Sequence, residues 1–326
     1  MLHRLFATVI PGALLGATLV AAPLAAETWQ MSAHDPDGNF HTENIRQFAA
    51  DVGEKSGGAL TLDVKSNAVL LSRTDLKRGV QRNVVPIGEV LISALANEDP
   101  IYAADSVPLL ATTFEDAKKL WDASKPVYEK KLAGEGLKIL WAEPWPPQGI
   151  YMKTPIESAA DLKGVKFRAY NPTTARFAEL MGAVPATVAS AEIGQAFSTG
   201  VISGMLTSPI TGVDSQAWDF VKHYYDLRAF IPKNMVLVNQ AAFDALPPES
   251  QKALTDAAAA AETRGWAMAE EANAKATETL KTNGMEIHEP PAALVTDLSS
   301  VGKTMADEWV ASGGEGVAEI MRAYRP

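Results

Sequence analysis

Residues 247–284, "PPESQKALTDAAAAAETRGWAMAEEANAKATETLKTNG", read as one unbroken helix. Pro247 and Pro248 suit a first turn, Gly284 suits a stop, and the interior is rich in Ala, Glu and Lys, all strong helix formers. Roughly 35 residues at about 1.5 Å each make about 50 Å, more than one small domain spans. Such a helix either lies alone on a surface as an Ala-rich rod or braces two bodies. The second alternative requires the rest of the chain to supply those bodies.

Upstream of it the chain alternates strand-like and helix-like runs. "TWQMSAH" (28–34) reads as a strand, and "GNFHTENIRQFAADVGEKSGG" (38–58) as a helix with Ile45, Phe48, Ala49 and Val52 at helical spacing. "ALTLDVK" (59–65), "VVPIGEVLIS" (84–93) and "LKILWAEPW" (137–145) follow as strands, with helices over 72–83 and 114–136 between them. A second block has strands at 148–153, 165–171, 204–208 and 230–239, with helical runs "TTARFAELMG" and "AEIGQAFSTG". This alternation predicts βαβ units, a mainly parallel sheet and an α/β fold. No repeat or Gly/Ser linker divides the blocks, so two domains would be joined by strand crossovers.

Residues 1–26 have an early Arg4, an apolar stretch and a small-residue end, the layout of an export signal cleaved after Ala26. Pro11, Pro23 and the small residues shorten its apolar core below a comfortable membrane span. Its removal leaves 300 residues, enough for two ordinary domains, and one fewer than the 29 basic side chains against 39 acidic ones. That balance argues against a nucleic-acid surface. With no Cys, disulfides, thiol nucleophiles and Cys-ligated zinc are excluded, so a sizeable core must hold the exported chain together. There is no P-loop, G-x-G-x-x-G or G-x-S-x-G. His34 and His41 show no zinc spacing, and His223 and His288 read as surface or hydrogen-bonding side chains. Neither catalysis, nor a metal, nor a cofactor is signalled.

The most informative short stretch is "VKFRAYN". Strand alternation sets Val165, Phe167 and Ala169 on one face and Lys166, Arg168 and Tyr170 on the other. Asn171 is a good N-cap and Pro172 suits the first turn, so Arg168 falls where a strand ends and a helix begins. In open α/β folds ligands bind at that edge, the helix N-terminus favours anions, and a guanidinium offers a carboxylate a two-point fork. The residues alone leave a second reading, an ion pair with a neighbouring Asp or Glu.

The chain resembles the substrate-binding proteins of tripartite ATP-independent periplasmic (TRAP) transporters, of the C4-dicarboxylate-binding type. The resemblance rests on the leader, "GNFHTENIRQFAADVGEKSGGALTLDV", "LKRGVQRNVVPIGEVLIS", "DLKGVKFRAYN", "AEIGQAFSTGVISG" and "YYDLRAFIPKNMVLVN" in that order, then the long helix. It implies a periplasmic receptor of two α/β lobes closing on a ligand, with the long helix across both. One lobe would hold 27–145 with about 234–265, the other 146–233 with about 266–326. The Arg of "G-x-K-x-R", here Arg168, would hold a ligand carboxylate. Further cleft positions implied are Asn39 and His41 after the first strand, Glu89 in "GEV", and Trp145, Gln148 and Tyr151 in "PWPPQGIY". Asn171, Thr207, Ser208, Phe230 and Asn234 complete the set, although core packing explains Trp145 and Phe230 equally well. Where relatives with a metal-bridged keto acid carry an acidic group, this chain has "ISGML", which argues against a metal. The aromatic "PWPP" and Phe230 favour a monocarboxylate with an apolar or aromatic body. The partners implied are that acid and the small and large membrane subunits, with no nucleic acid. Two alternatives stay open: an exported hydrolase using His41 with Glu89, and a ligand-sensing receptor.

Overall fold

The computed structural model describes residues 26–325, so the expected export signal lies, apart from Ala26, outside the described residues. Two sheets form. The first joins β1 (Glu27–Ser32), β2 (Leu60–Lys65), β3 (Ile87–Leu91), β4 (Leu137–Pro144) and β10 (Lys233–Asn239) in the order β2-β1-β3-β10-β4. The second joins β5 (Gly149–Met152), β6 (Lys166–Ala169), β7 (Val184–Thr187), β8 (Gly204–Thr207), β9 (His223–Tyr225) and β11 (Glu286–His288) in the order β11-β9-β5-β8-β6-β7.

The expected α/β, two-lobe architecture holds, but the sheets are mixed and not mainly parallel. β10 runs antiparallel to β3 and β4, and β5 runs antiparallel to β8 and β9. The cause is the crossover. β4 passes straight into β5 through a link too short for a helix, and the chain returns from β9 to β10 alongside it. Backbone bonds continue through the waist, from Trp145 N to Pro232 O at 2.8 Å and Gln148 N to Phe230 O at 3.0 Å. The lobes are therefore joined by a hydrogen-bonded two-stranded ribbon.

The long helix runs unbroken over Pro248–Thr282. Its small residues Ala257, Ala258 and Ala261 pack with Phe48 and Trp141 in the first lobe. Ala269 sits at the waist beside Phe40, Leu91 and Trp145, and Leu280 enters the second lobe beside Tyr151 and Ile202. The helix Ala292–Ser312 also crosses: Leu294, Leu298 and Met305 join the second-lobe core, while Trp309 joins that of the first. This helix thus contributes to the cores of both lobes. Helix Gly314–Tyr324 buries its apolar stripe, Val317 and Ile320, against the first-lobe core around Trp121 and Tyr128. Among the described residues no helix is long and apolar enough to cross a membrane.

Candidate ligand-binding cleft

Between the lobes lies a cavity of about 580 Å³, lined from both sides. Arg168 reaches it from the end of β6, in the phase that strand alternation predicts. Asn171 then caps helix Pro172–Leu180, its side chain accepting from Thr174 N at 2.8 Å. The Arg168 guanidinium is 2% exposed. Its Nε donates to Val188 O at 2.9 Å and its Nη2 to Ser190 Oγ at 3.3 Å, while Nη1 has no partner. Burial pushes Arg168 down to about 10, and the Tyr170 ring lies 5.4 Å from the guanidinium carbon. Among the described residues Arg168 pairs with no carboxylate. The surface ion-pair reading fails: this is a buried cation, held in place by two neutral acceptors, with one edge left for an anion.

Two more residues of the lining carry orphaned polar atoms, His34 Nδ1 and Asp35 Oδ2. Burial, then the positive charge of Arg73, lowers His34 to about 3, so its imidazole is neutral at physiological pH. Burial raises Asp35 to about 6 against the opposing pull of Arg73, whose Nη2 stands 3.6 Å from Asp35 Oδ1. Fixed cation, neutral imidazole and carboxyl thus form a set of donors and acceptors around one apolar-walled space.

Of the residues expected in the cleft, Arg168, Trp145, Gln148, Thr207 and Ser208 line it. Tyr170 Oη donates to Gln148 Oε1 at 3.2 Å, so one lining side chain orients another. The remaining seven sit outside the lining. His41 and Glu89 do meet, at 3.3 Å, with Glu143 on the same imidazole nitrogen at 3.1 Å, but the trio is sealed under Trp145. The Trp145 ring covers His41 at 4.3 Å between centroids. Burial alone would lower His41, but the charge and hydrogen bond of Glu143, with those of Glu89, raise it to about 10. A buried imidazolium paired with two carboxylates holds its proton and does not offer a free base. Asn234 accepts from Trp145 Nε1 at 2.9 Å and so supports the wall without forming it. Tyr151 and Phe230 are core side chains; the Tyr151 hydroxyl donates to Ser208 O at 3.1 Å.

Asn39 and Asn171 do something else. Each caps a helix in its own lobe and also reaches across the cleft. Asn39 Nδ2 donates to Asp214 Oδ2 at 2.8 Å, and Asn171 Nδ2 to Ser93 Oγ at 2.8 Å. The lobes are closed on each other, with a clasp on either flank.

Sequence reasoning missed His34, Asp35, Arg73 and Tyr170. His34 and Asp35 follow the end of β1, a few residues before the loop positions that were expected. Arg73 was placed in a helix that starts only at Leu76, leaving it on a free loop.

Two α/β lobes on a ribbon hinge, closed over a buried unpaired cation, define a solute-binding receptor for a small anion. Residues 31–311 match the bacterial extracellular solute-binding proteins, family 7 (DctP), and the chain belongs to that family. It is the receptor of a TRAP transporter, handing a small carboxylate to membrane subunits; the family is one of solute receptors that work outside the cytoplasm. The chain is 50% identical to DctP7 of Bordetella pertussis, an extracytoplasmic solute receptor binding pyroglutamic acid, over 92% of this chain and 100% of that one, with a TM-score of 0.91. DctP6 of the same organism, also binding pyroglutamic acid, is 45% identical over 92% and 99%, with a TM-score of 0.90. A marine metagenome TRAP solute-binding protein specific for pyroglutamate is 37% identical over 92% and 99%, also with a TM-score of 0.90.

Proposed function

We propose that the cleft takes pyroglutamate or a closely similar small cyclic monocarboxylate, at the outer face of the inner membrane after cleavage of residues 1–26. The observation that carries this is Arg168, a buried cation in the cavity lining whose Nη1 has no partner. One carboxylate answers it. A lactam adds one N–H donor and one carbonyl acceptor, a match for Asp35, His34 and the hydroxyls of Thr207 and Ser208. Trp145 supplies the flat apolar wall against which a small ring lies. Relatives that are 50%, 45% and 37% identical and bind pyroglutamate support the same ligand. The first lobe takes 27–145 with about 234–265 and the C-terminal helix, and the second takes most of 146–233 and 266–312. Contacts from both lobes make the closed state the one that ligand stabilises, without turnover.

Calorimetric titration of the mature protein with L-pyroglutamate, glutamate, proline, succinate and glucuronate tests this. The expected outcome is one-to-one binding of pyroglutamate, with the ligand recovered unchanged by mass spectrometry. Preference for succinate or glucuronate over pyroglutamate, or conversion of the ligand, would refute it.

A further inference from the structure

β9 and β11 are parallel three-residue strands at one edge of the second sheet, paired Glu286 to His223 and His288 to Tyr225. Strand alternation puts positions two apart on one face, so His223 and Tyr225 of β9 stand beside Glu286 and His288 of β11. The side chains converge. His223 Nδ1 is 3.1 Å from His288 Nε2 and 3.3 Å from Glu286 Oε2, and His288 Nε2 is 3.8 Å from the same oxygen. Nitrogen and oxygen ligands about 2.0–2.2 Å from a tetrahedral zinc stand roughly 3.3–3.5 Å from one another. The triangle formed by these three atoms has that size.

We infer that His223, Glu286 and His288 form a transition-metal site of the His₂Glu type, taking zinc or copper, separate from the carboxylate cleft. The surroundings orient each ligand. Lys222 Nζ holds Glu286 Oε1 at 2.9 Å, which turns Oε2 toward the imidazoles. The His288 ring stacks on Tyr225 with centroids 4.8 Å apart and planes 20° from parallel. His223 is buried and Glu286 is exposed, leaving a fourth position open to solvent and an entry path for the ion. None of the three side chains lines the cleft. The sealed His41, Glu89 and Glu143 group has the same donor types but no such opening, and its two carboxylates neutralise the imidazolium between them.

The site has a structural meaning. β11 follows the end of the long helix at Thr282, and β9 leads into the returning strand of the waist ribbon. A metal across them ties the far end of the long helix to the strand from which the chain leaves the second lobe. Borderline nitrogen ligands select zinc and copper over magnesium and calcium, which prefer all-oxygen shells.

The test uses tag-free mature protein stripped with EDTA, titrated with zinc against a chromophoric indicator, and in parallel with magnesium and calcium. One equivalent of zinc is expected, with no magnesium or calcium bound. Removal of one ligand in His288→Ala, or of its charge in Glu286→Gln, should weaken zinc at least about tenfold. Both variants should keep wild-type pyroglutamate affinity and, in EDTA, the wild-type melting temperature. Zinc at about a hundredfold over its dissociation constant should raise the wild-type melting temperature by roughly 5 °C and leave the variants unmoved. If His288→Ala does not fold, Glu286→Gln alone carries the comparison. Absence of zinc binding, equal binding by the variants, or equal binding of calcium would overturn the assignment and leave the two imidazoles as a hydrogen-bonded pair.

Discussion

Replacing Arg168 with methionine separates a ligand-binding role from a structural one, because the two roles predict opposite results. Arg168 is 2% exposed, has no carboxylate partner among the described residues, lines the cavity and leaves Nη1 without a partner. Truncating one member of a buried, hydrogen-bonded charge pair costs about 2–5 kcal/mol. At about 1.4 kcal/mol per factor of ten, pyroglutamate should bind roughly 30-fold to 4,000-fold more weakly. Stability of the ligand-free protein should hardly move. Methionine removes a charge that burial already disfavours, but it also strips the Val188 carbonyl of its donor at 2.9 Å. An unsatisfied buried acceptor costs about 1–3 kcal/mol, and the desolvation relieved is of similar size and opposite sign. Arg168→Lys keeps the charge without the planar fork and should lose affinity only in part. The assays are calorimetric titration with pyroglutamate and urea unfolding without it. Binding by Arg168→Met within about threefold of wild type, under 1 kcal/mol, would refute the reasoning, the more so with a fall of about 3–5 kcal/mol in stability.

Three further outcomes follow from the same geometry. His41 holds its proton to about 10 when folded and releases it near 6.5 when unfolded, so its contribution to stability is complete below pH 6.5 and is lost as pH rises toward 10. Urea unfolding at pH 7 and pH 9 should show wild type falling by up to about 1.4 kcal/mol per pH unit and His41→Gln falling distinctly less; equal slopes would mean an uncharged His41. Gly265 lies on the long helix where an added Cβ would clash with Glu143 Oε2 and meet Asn44 Nδ2 at 2.7 Å and Glu143 Cβ at 2.8 Å. Gly265→Ala should therefore lower stability by about 1–3 kcal/mol in thermal melts, although helix propensity alone favours alanine by about 1 kcal/mol. Asn39→Asp keeps the helix cap but sets a carboxylate against Asp214, so ligand affinity should drop about tenfold at pH 7.5 and recover on acidification as the pair takes up a proton; a pH-independent affinity would argue against the clasp.

What the sequence disclosed was whatever has a local cause. The long helix was legible from its prolines, its alanines and Gly284, and Arg168 from strand phase and the Asn171–Pro172 helix start. β9 and β11, of three residues each, are too short to show alternation, and Pro185 interrupts the pattern of β7. The return of helix Gly314–Tyr324 to the first lobe depends on which apolar surface is left uncovered, a tertiary fact. His34, Asp35 and Arg73 lie outside strand and helix, where no periodicity aims a side chain. Glu89, His41 and Asn234 sit at the expected chain positions but one layer too deep, because Trp145 covers them. The second helix crossing both lobes escaped notice because nothing in its length or caps sets it apart from an ordinary surface helix.

Trp145 has an optical consequence. The chain has seven tryptophans, and this is the one lining the cleft. Its indole N–H is fixed to Asn234 on the returning strand, one face rests on the imidazolium of His41, and its edge meets Phe40. Hinge, buried charge and cavity wall therefore converge on a single chromophore. Its emission is expected to respond to bending of the ribbon and to arrival of a guest together, which would make the unlabelled receptor a gauge of its own closure.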